Sequence, residues 1–172
     1  MKIEKLSSNS VDQLRELAIL SYVEAYKNQL SAEEIQTRID NKHSKSAFEN
    51  LLKSDNHFFW GMFNAEQLLA YIEVSTDGKS ETVDTADHLQ LCRIYVHPAH
   101  KGLGLGKHLM QKAEGFAISR KLKGIWLHCF DQNTEAINFY QKGGFKLCGK
   151  DPFSIIPNLV RFDLVLMKDL SA

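Results

Sequence analysis

Residues 97–107 read His-Pro-Ala-His-Lys-Gly-Leu-Gly-Leu-Gly-Lys and join an apolar, strand-like run, residues 89–96, to a helix-like run, residues 105–121. Three glycines at alternate positions let the backbone approach a ligand closely, with φ values that other residues resist. The free amides at the start of the following helix favour an anion, typically a phosphate. This segment therefore predicts a phosphate-binding loop between a strand and a helix.

Two common phosphate-binding loops are excluded by spacing. A nucleoside-triphosphate loop that ends at residues 106–107 needs a glycine where Lys101 stands and a hydroxyl where His108 stands. The dinucleotide fingerprint Gly-x-Gly-x-x-Gly needs a third glycine where Leu109 stands. What remains is a Lys-x-x-Gly-x-Gly loop over residues 101–106.

A second motif follows another strand-like run, residues 124–130. It reads Asn133-x-x-Ala136-x-x-Phe139-Tyr140-x-x-x-Gly144-Phe145. Together the two motifs resemble the signature of the GNAT superfamily of N-acetyltransferases, whose loop reads Gln/Arg-x-x-Gly-x-Gly/Ala and binds the pyrophosphate of acetyl-coenzyme A. Lys101 is a conservative departure from the usual Gln or Arg. The resemblance covers roughly residues 1–170 and is densest from 88 to 146.

The resemblance implies an α/β fold with a mixed central sheet flanked by helices, in which acetyl-CoA binds between two splayed parallel strands. Residues 1–172 would then form a single N-acetyltransferase domain. The end of the strand before the loop would pair with the pantetheine arm, and the loop would wrap the pyrophosphate. The implied coenzyme-binding residues are Ile94, Tyr95, Val96, Lys101, Gly102, Leu103, Gly104, Leu105, Gly106, Lys107 and Asn133.

The resemblance also implies a direct transfer of acetyl to a bound primary amine through a tetrahedral intermediate, without a covalent enzyme intermediate. In its motif Tyr140 is the general acid that protonates the departing coenzyme A thiolate. A tyrosine suits this role, because its pKa of about 10 keeps it protonated and able to donate.

The general base is less clearly defined by the sequence. It is needed because a substrate ammonium, with a pKa near 10, must lose a proton before it attacks. Many relatives carry a glutamate where this chain has Gln90, which cannot accept the proton, and others carry one where this chain has His128. A histidine has a suitable intrinsic pKa of about 6.5. We therefore expect His128 to be the base, with Glu73 or a chain of waters as alternatives.

Several stretches, residues 93–96, 102–109, 125–127 and 163–167, resemble bacterial spermidine/spermine (polyamine) acetyltransferases. The implied acceptor is a small amine such as a polyamine. One polar loop carries carboxylates that suit a polycation, namely Asp77, Glu81, Asp84 and Asp87. Two alternatives stay open: acetylation of a protein N-terminus or lysine, and a coenzyme-A-binding sensor that has lost catalysis. Gln90 favours the sensor, whereas Tyr140 opposes it.

Composition restricts the class of protein and the partners that this chain can have. At 172 residues, 44% hydrophobic and 24% charged, the chain has the size and composition of one globular domain. Its 21 basic and 21 acidic side chains balance, so we expect no nucleic-acid partner. No apolar run approaches the ~18 residues of a membrane span, and residues 1–6 are not a signal peptide. We expect a cytoplasmic protein that is a monomer or a homodimer.

Cysteine and histidine usage does not indicate a metal. Cys92, Cys129 and Cys148 lie in predicted strands and are expected to be reduced core thiols rather than a disulfide framework. His97 and His100 share a loop, but no third ligand is evident beside them, so no metal is expected.

Periodicity predicts the element order β-α-α-β-β-β-α-β-α-β-β, with a further short helix before the second strand. The predicted segments outside the motifs are a strand over 2–6, helices over 11–27, 31–41 and 46–53, a hairpin over 57–74, and closing strands over 145–149 and 159–167 around a loop with Pro152 and Pro157. Capping boxes are predicted at Ser10 and Ser31.

Overall fold

The chain forms one seven-stranded sheet with helices on both faces in a computed structural model that describes residues 1–170. The strands are β1 (Lys2–Lys5), β2 (His57–Asn64), β3 (Gln67–Ser75), β4 (His88–Val96), β5 (Gly124–Phe130), β6 (Lys146–Phe153) and β7 (Arg161–Asp169). The helices are α1 (Val11–Tyr26), α2 (Ala32–Lys42), α3 (Lys45–Lys53), α4 (Leu105–Ser119) and α5 (Thr134–Lys142), with single 3₁₀ turns at Ser8–Ser10 and Pro98–His100.

The strand order is β1-β2-β3-β4-β5-β7-β6. Within residues 1–170, β4 and β5 form the one parallel pair, and the other neighbours are antiparallel. The loop and α4 make the crossover between the parallel strands, so the glycine loop lies at the carboxyl end of β4. This is the mixed α/β sheet that the sequence predicts.

Each face of the sheet carries its own core, because successive strand residues point to opposite faces. On β3, Ile72 and Val74 join a large cluster with α4, whereas Tyr71, on the opposite face, joins a cluster with α1 and α3. On β2, likewise, Trp60 belongs to the first of these clusters. The fully buried strands of the sheet centre are therefore held from both sides, which makes them a rigid support for the loop.

Most predicted elements are confirmed, and two details are wrong. The capping box at Ser31 forms with Glu34, but Ser10 makes no side-chain cap. Its expected partner Gln13 instead accepts a hydrogen bond from the backbone N–H of Leu68, which ties α1 to β3. The sixth strand does not stop before Pro152 but continues through it, since an edge strand tolerates a residue without an N–H.

Candidate active site

The site begins where β4 and β5 separate. Their pairing ends at Leu91 opposite Leu127, although β4 continues to Val96 and β5 to Phe130. The N–H of His97 donates to Leu69 O of β3 at 2.8 Å, so in the last part of β4 the peptide groups of the odd-numbered residues Arg93 and Tyr95 face β3. By alternation, those of the even-numbered residues face the gap between the splayed strands. This gap is the opening that the family resemblance predicts.

The glycine loop sits at one end of this gap. Gly102 and Gly104 have φ values of 80° and 77°, and a Cβ atom built at either would meet nothing within 4 Å. Gly104 is the N-cap residue of α4 and has no side chain to cap the helix. The first hydrogen bond of the helix runs from the N–H of His108 to the carbonyl oxygen of Gly104, at 3.2 Å. The amides of residues 104–107 therefore lack helical acceptors, and the space beside the Cα atoms of Gly102 and Gly104 is open. Such an end is suited to a phosphate.

A cavity of about 410 Å³ connects the gap to the loop, and we call it the loop cavity. It contains ten of the eleven predicted coenzyme-binding residues and Tyr140: Ile94, Tyr95, Val96, Lys101, Gly102, Gly104, Leu105, Gly106, Lys107, Asn133 and Tyr140. Leu103 is not among the lining residues and is 60% exposed. The structure thus brings together residues from β4, the loop, α4 and α5.

Two of the charged and polar residues that line the loop cavity, Lys101 and Asn133, contact other groups of the protein. Lys101 forms an ion pair with Glu135 at 3.0 Å, and both side chains are substantially exposed. Asn133 caps α5, because its Oδ1 accepts from the N–H of Ala136 at 3.1 Å. An anion bound at the loop would compete with Glu135 for the Lys101 ammonium. The contact between Lys101 and Glu135 could not be predicted from sequence, because it joins residues from separate elements.

Tyr140 lies near the end of α5 and is 8% exposed. Its ring packs against Phe139 and Phe145, with ring centroids 5.3 and 5.7 Å away. Burial raises the pKa of its hydroxyl well above the ordinary value, so Tyr140 is protonated at neutral pH. Tyr140 is among the residues that line the loop cavity.

A second cavity of about 480 Å³ lies against β4, and we call it the polar cavity. Tyr95 lines both cavities, so it marks their junction. The polar cavity contains the predicted base His128, the alternative Glu73, and Gln90. The predicted acid and the predicted base therefore line different cavities on the two sides of one tyrosine.

His128 is bound to a buried carboxylate, because its Nε2 lies 2.7 Å from Oδ2 of Asp151. Asp151 is 4% exposed and also accepts from Ser80 Oγ at 2.7 Å, Thr82 Oγ1 at 2.5 Å and Glu81 N at 3.2 Å. Burial acts to raise the pKa of Asp151, but the hydrogen bonds outweigh it and hold the pKa well below the usual range. Asp151 is thus a permanent negative charge against the His128 ring.

Glu73 has both of its oxygens engaged. Its side chain is 2% exposed, with Oε1 at 2.8 Å from His57 Nδ1 and Oε2 at 2.6 Å from the Arg93 guanidinium. A proton acceptor in these surroundings would have to give up one of the two contacts. Both contacts of Glu73 are with nitrogen groups that carry or can carry positive charge.

Asp163 is a further carboxylate of the polar cavity that the sequence analysis did not select. It pairs in register with Phe130 on β5 and with Asp151 on β6. Burial raises its pKa to about 6, against the opposing effects of the His128 and Arg38 charges. It is therefore mostly ionised at neutral pH but close to its titration range.

The predicted acidic loop does not reach either cavity. Asp84 accepts from the N–H of Ala86 and Asp87 pairs with Lys123, while the carboxylates that line the polar cavity within residues 1–170 are Glu73 and Asp163.

The three cysteines are free. The prediction that they are all core thiols is wrong for Cys148, which is exposed on the edge strand β6, and Cys92 is half-buried.

Comparison with known proteins assigns the chain to a protein family. The chain matches the acetyltransferase (GNAT) family over residues 12–145 and belongs to that family. It is 28% identical over 151 residues to spermidine N(1)-acetyltransferase of Thermoplasma acidophilum, covering 86% of this chain and 89% of that one. It is 29% identical over 121 residues to streptothricin acetyltransferase of Escherichia coli, covering 70% and 66%.

A solved structure gives the same result at the level of the fold. The PaiA N-acetyltransferase of Thermoplasma acidophilum, determined in complex with coenzyme A, superimposes with a TM-score of 0.81 at 25% identity over 98% of this chain and 99% of that chain. The chain is accordingly an N-acetyltransferase that uses acetyl-CoA as its acetyl donor. No helix within residues 1–170 is long and apolar enough to cross a membrane.

Proposed function

We propose that this enzyme acetylates a small primary amine, such as a polyamine, with acetyl-CoA in the loop cavity and the amine in the polar cavity. The observation that carries the proposal is that Tyr95, on the part of β4 that lies beyond its pairing with β5, lines both cavities. A donor and an acceptor placed on the two sides of this junction would meet directly. Such positioning is itself a large contribution to rate.

The loop cavity offers the hydrogen-bond donors and the positive charge that coenzyme A needs. The amides at the start of α4 would bind the pyrophosphate, with Lys101 supplying a positive charge once it leaves Glu135. The even-numbered β4 residues Ile94 and Val96 would donate their N–H groups to the pantetheine arm and to the thioester oxygen. Main-chain donors aimed at developing negative charge are among the strongest catalytic devices that a fold supplies.

The two proton transfers would be carried out by side chains of different cavities. Tyr140, protonated and buried beside the loop cavity, would donate to the leaving thiolate. His128 would accept the proton of the amine, with Asp151 holding its Nε2–H and stabilising the charge that develops on the ring. This leaves Nδ1 as the accepting atom. Asp151 is then a positioning residue, as in other pairs of histidine and carboxylate.

Two carboxylates support the choice of a polyamine. Glu73 and Asp163 line the polar cavity, and a polyamine offers a second ammonium for one of them. The 28% identical relative named as a spermidine N(1)-acetyltransferase supports the same acceptor.

A second candidate is an amine that also carries a carboxylate, such as the end of a peptide or an amino acid. It is favoured by Arg38 and Lys42, which line the same cavity. The guanidinium of Arg38 lies 6.0 Å from the ring centroid of Phe153. A carboxylate between these cations would be stabilised, whereas a second ammonium there would be repelled.

The test is a panel of acceptors scored by release of the coenzyme A thiol. Spermidine, spermine, streptothricin, free amino acids and short peptides are offered at equal concentration. We expect turnover with spermidine or spermine. The Glu73→Gln substitution should raise the KM for the polyamine by a larger factor than it lowers kcat. Turnover confined to peptides or amino acids would overturn the polyamine assignment. No turnover with any amine, together with retained binding of acetyl-CoA, would favour the sensor alternative.

A further inference from the structure

Three side chains that ligate metals meet on one wall of the polar cavity. His57, Glu73 and Cys92 each offer one ligand atom, and these atoms lie within 4.8 Å of one another. All three residues line the cavity, although they come from the adjacent strands β2, β3 and β4. Their meeting could not be read from sequence spacing.

A β-bulge brings the cysteine to this place. Glu73 pairs with Arg93 whereas Val74 pairs with Leu91, so that Cys92 is the extra residue on β4. Bulges re-aim side chains beside functional sites. Here the bulge adds a thiol to a wall that otherwise holds a histidine and a carboxylate.

The two other ligands have charged neighbours: Arg93 contacts Glu73, and Asp77 lies just beyond hydrogen-bonding distance of His57. Asp77 Oδ1 lies 3.9 Å from Nε2 of His57, on the opposite side of the ring from Nδ1, which contacts Glu73. Arg93 holds Oε2 of Glu73 at 2.6 Å and leaves Oε1 toward His57. A carboxylate on the far nitrogen of a metal-bound histidine is a recurrent outer-shell arrangement.

We propose that His57, Glu73 and Cys92 bind one Zn²⁺ ion, and that the bound ion closes the polar cavity to the amine. Zinc accepts nitrogen, sulfur and carboxylate ligands together, and three protein ligands leave a fourth position for water facing the cavity. Tetrahedral zinc places ligand atoms about 3.5 Å apart, so the widest pair, within 4.8 Å, must close by about 1 Å, whereas Nδ1 of His57 and Oε1 of Glu73, now 2.8 Å apart, must open by about 0.7 Å. The thiol proton of Cys92 leaves to solvent when zinc binds, and Nδ1 of His57 must carry no proton to act as a ligand, so the ring proton lies on Nε2, which faces Asp77.

The local charges balance in this complex. Zinc and the Arg93 guanidinium together bring three positive charges, and the Cys92 thiolate, Glu73 and Asp77 bring three negative ones. Neutrality matters because the cavity wall is largely buried, where an unbalanced charge is costly.

Zinc binding is measured without substrate, by equilibrium dialysis of the metal-free protein. We expect one Zn²⁺ per chain. Cys92→Ser should weaken binding by at least about 100-fold, because even outer-shell partners contribute 10- to 100-fold, and Asp77→Asn should weaken it by about 10-fold. Cys148→Ser is the matched control, since it removes an exposed thiol far along the sheet, and it should bind as wild type. His57→Ala provides a second ligand deletion should Cys92→Ser lose its fold.

Cobalt gives a spectroscopic signature of the thiolate. The Co²⁺ complexes of wild type and Cys148→Ser should show a sulfur-to-cobalt charge-transfer band in the near ultraviolet, which Cys92→Ser should lack. Equal zinc affinity in wild type and Cys92→Ser, or a cobalt complex of wild type without this band, would overturn the site.

The inhibition part of the inference rests on the proposed function. Zinc in front of Glu73 should inhibit acetyl transfer competitively against the amine and not against acetyl-CoA, and a chelator should restore activity. Inhibition relieved by acetyl-CoA instead would overturn the closure of the polar cavity. A protein that binds zinc at Cys92 yet acetylates no amine would contradict the proposed function while supporting the metal site, so the two failures are distinguishable.

Discussion

At the scale of single residues, the proposed role of Tyr140 as general acid can be tested by one substitution. Tyr140→Phe removes one hydroxyl and little volume, so the ring should keep its packing against Phe139 and Phe145. If Tyr140 protonates the thiolate, kcat should fall about 100-fold or more, the usual scale for a positioned acid. The Kd for acetyl-CoA, measured by calorimetry, should change little because the loop amides bind the coenzyme independently. A folded variant with undiminished kcat would remove Tyr140 from the chemistry.

The pair of His128 and Asp151 is tested by the dependence of rate on pH. His128→Ala should be slowest relative to wild type near neutrality and recover as the pH rises toward the amine pKa of about 10, where the amine loses its proton unaided. Asp151→Asn should lower kcat most near neutrality, as His128→Ala does, because the carboxylate that holds Nε2 of His128 is lost.

Ser80→Ala is the matched control for this pair, since it removes one hydrogen bond from Asp151 and leaves the carboxylate on His128. Its pH profile should be that of wild type. Equal profiles in wild type and Asp151→Asn would show that Asp151 only anchors the loop of residues 80–82 to β6.

Asp163 predicts a dependence of stability on pH. Its pKa of about 6 in the folded protein lies above the value of about 3.9 in an unfolded chain, so the folded state holds the proton more tightly. The stability from this group is complete below about pH 4 and is lost as the pH rises through about 6.

Asp163→Asn cannot ionise, so relative to wild type it should gain about 1–3 kcal/mol in free energy of unfolding between about pH 4 and about pH 8. Denaturant titration of both proteins at the two pH values measures this difference, and contributions from other carboxylates cancel in it. An equal difference at both pH values would contradict the raised pKa.

The residues that sequence could identify are those that act through the backbone or from within one motif. The loop glycines, Asn133 and Tyr140 belong to continuous spacings, and the structure places them around one cavity. Asp151 and Asp163 could not be found in this way. They reach His128 only through the register of β6, β7 and β5, which depends on strand pairing across the whole sheet.

At the scale of elements, the glycine loop and α4 give a matched pair of substitutions. Gly104→Val should abolish detectable binding of acetyl-CoA, because its φ of 77° resists a side chain and the new atoms fill the space in front of the loop. Gly115→Val on the exposed side of α4 meets nothing within 4 Å. It should leave binding unchanged and shift stability by less than about 1 kcal/mol. Equal affinities in the two variants, measured by calorimetry, would show that the loop does not hold the coenzyme.

Local patterns predicted the elements well where the local signal and tertiary packing agree. The capping box at Ser31 formed as the spacing predicts. The one at Ser10 did not, because Gln13 is used in a long-range bond to Leu68 of β3. The strand through Pro152 was missed because a proline stops a strand only where a neighbour needs its N–H, and β6 has an open edge.

At the scale of the whole molecule, Tyr95 lines two cavities, one lined by Tyr140 and the other by His128, the two side chains proposed for proton transfer. Under the proposed function, this arrangement has both substrates bound at once. It also assigns no covalent role to Cys92, which lines the polar cavity and not the loop cavity. Direct transfer between bound substrates is therefore the central claim.

The most direct test is the initial rate of acetyl transfer to an accepted amine, measured over a grid of amine and acetyl-CoA concentrations. Transfer through a complex of both substrates predicts double-reciprocal lines that intersect, one acetylated amine per thiol released, and no exchange of label between coenzyme A and acetyl-CoA when the amine is left out. Parallel lines together with such exchange would contradict direct transfer, since they would require an acetylated enzyme.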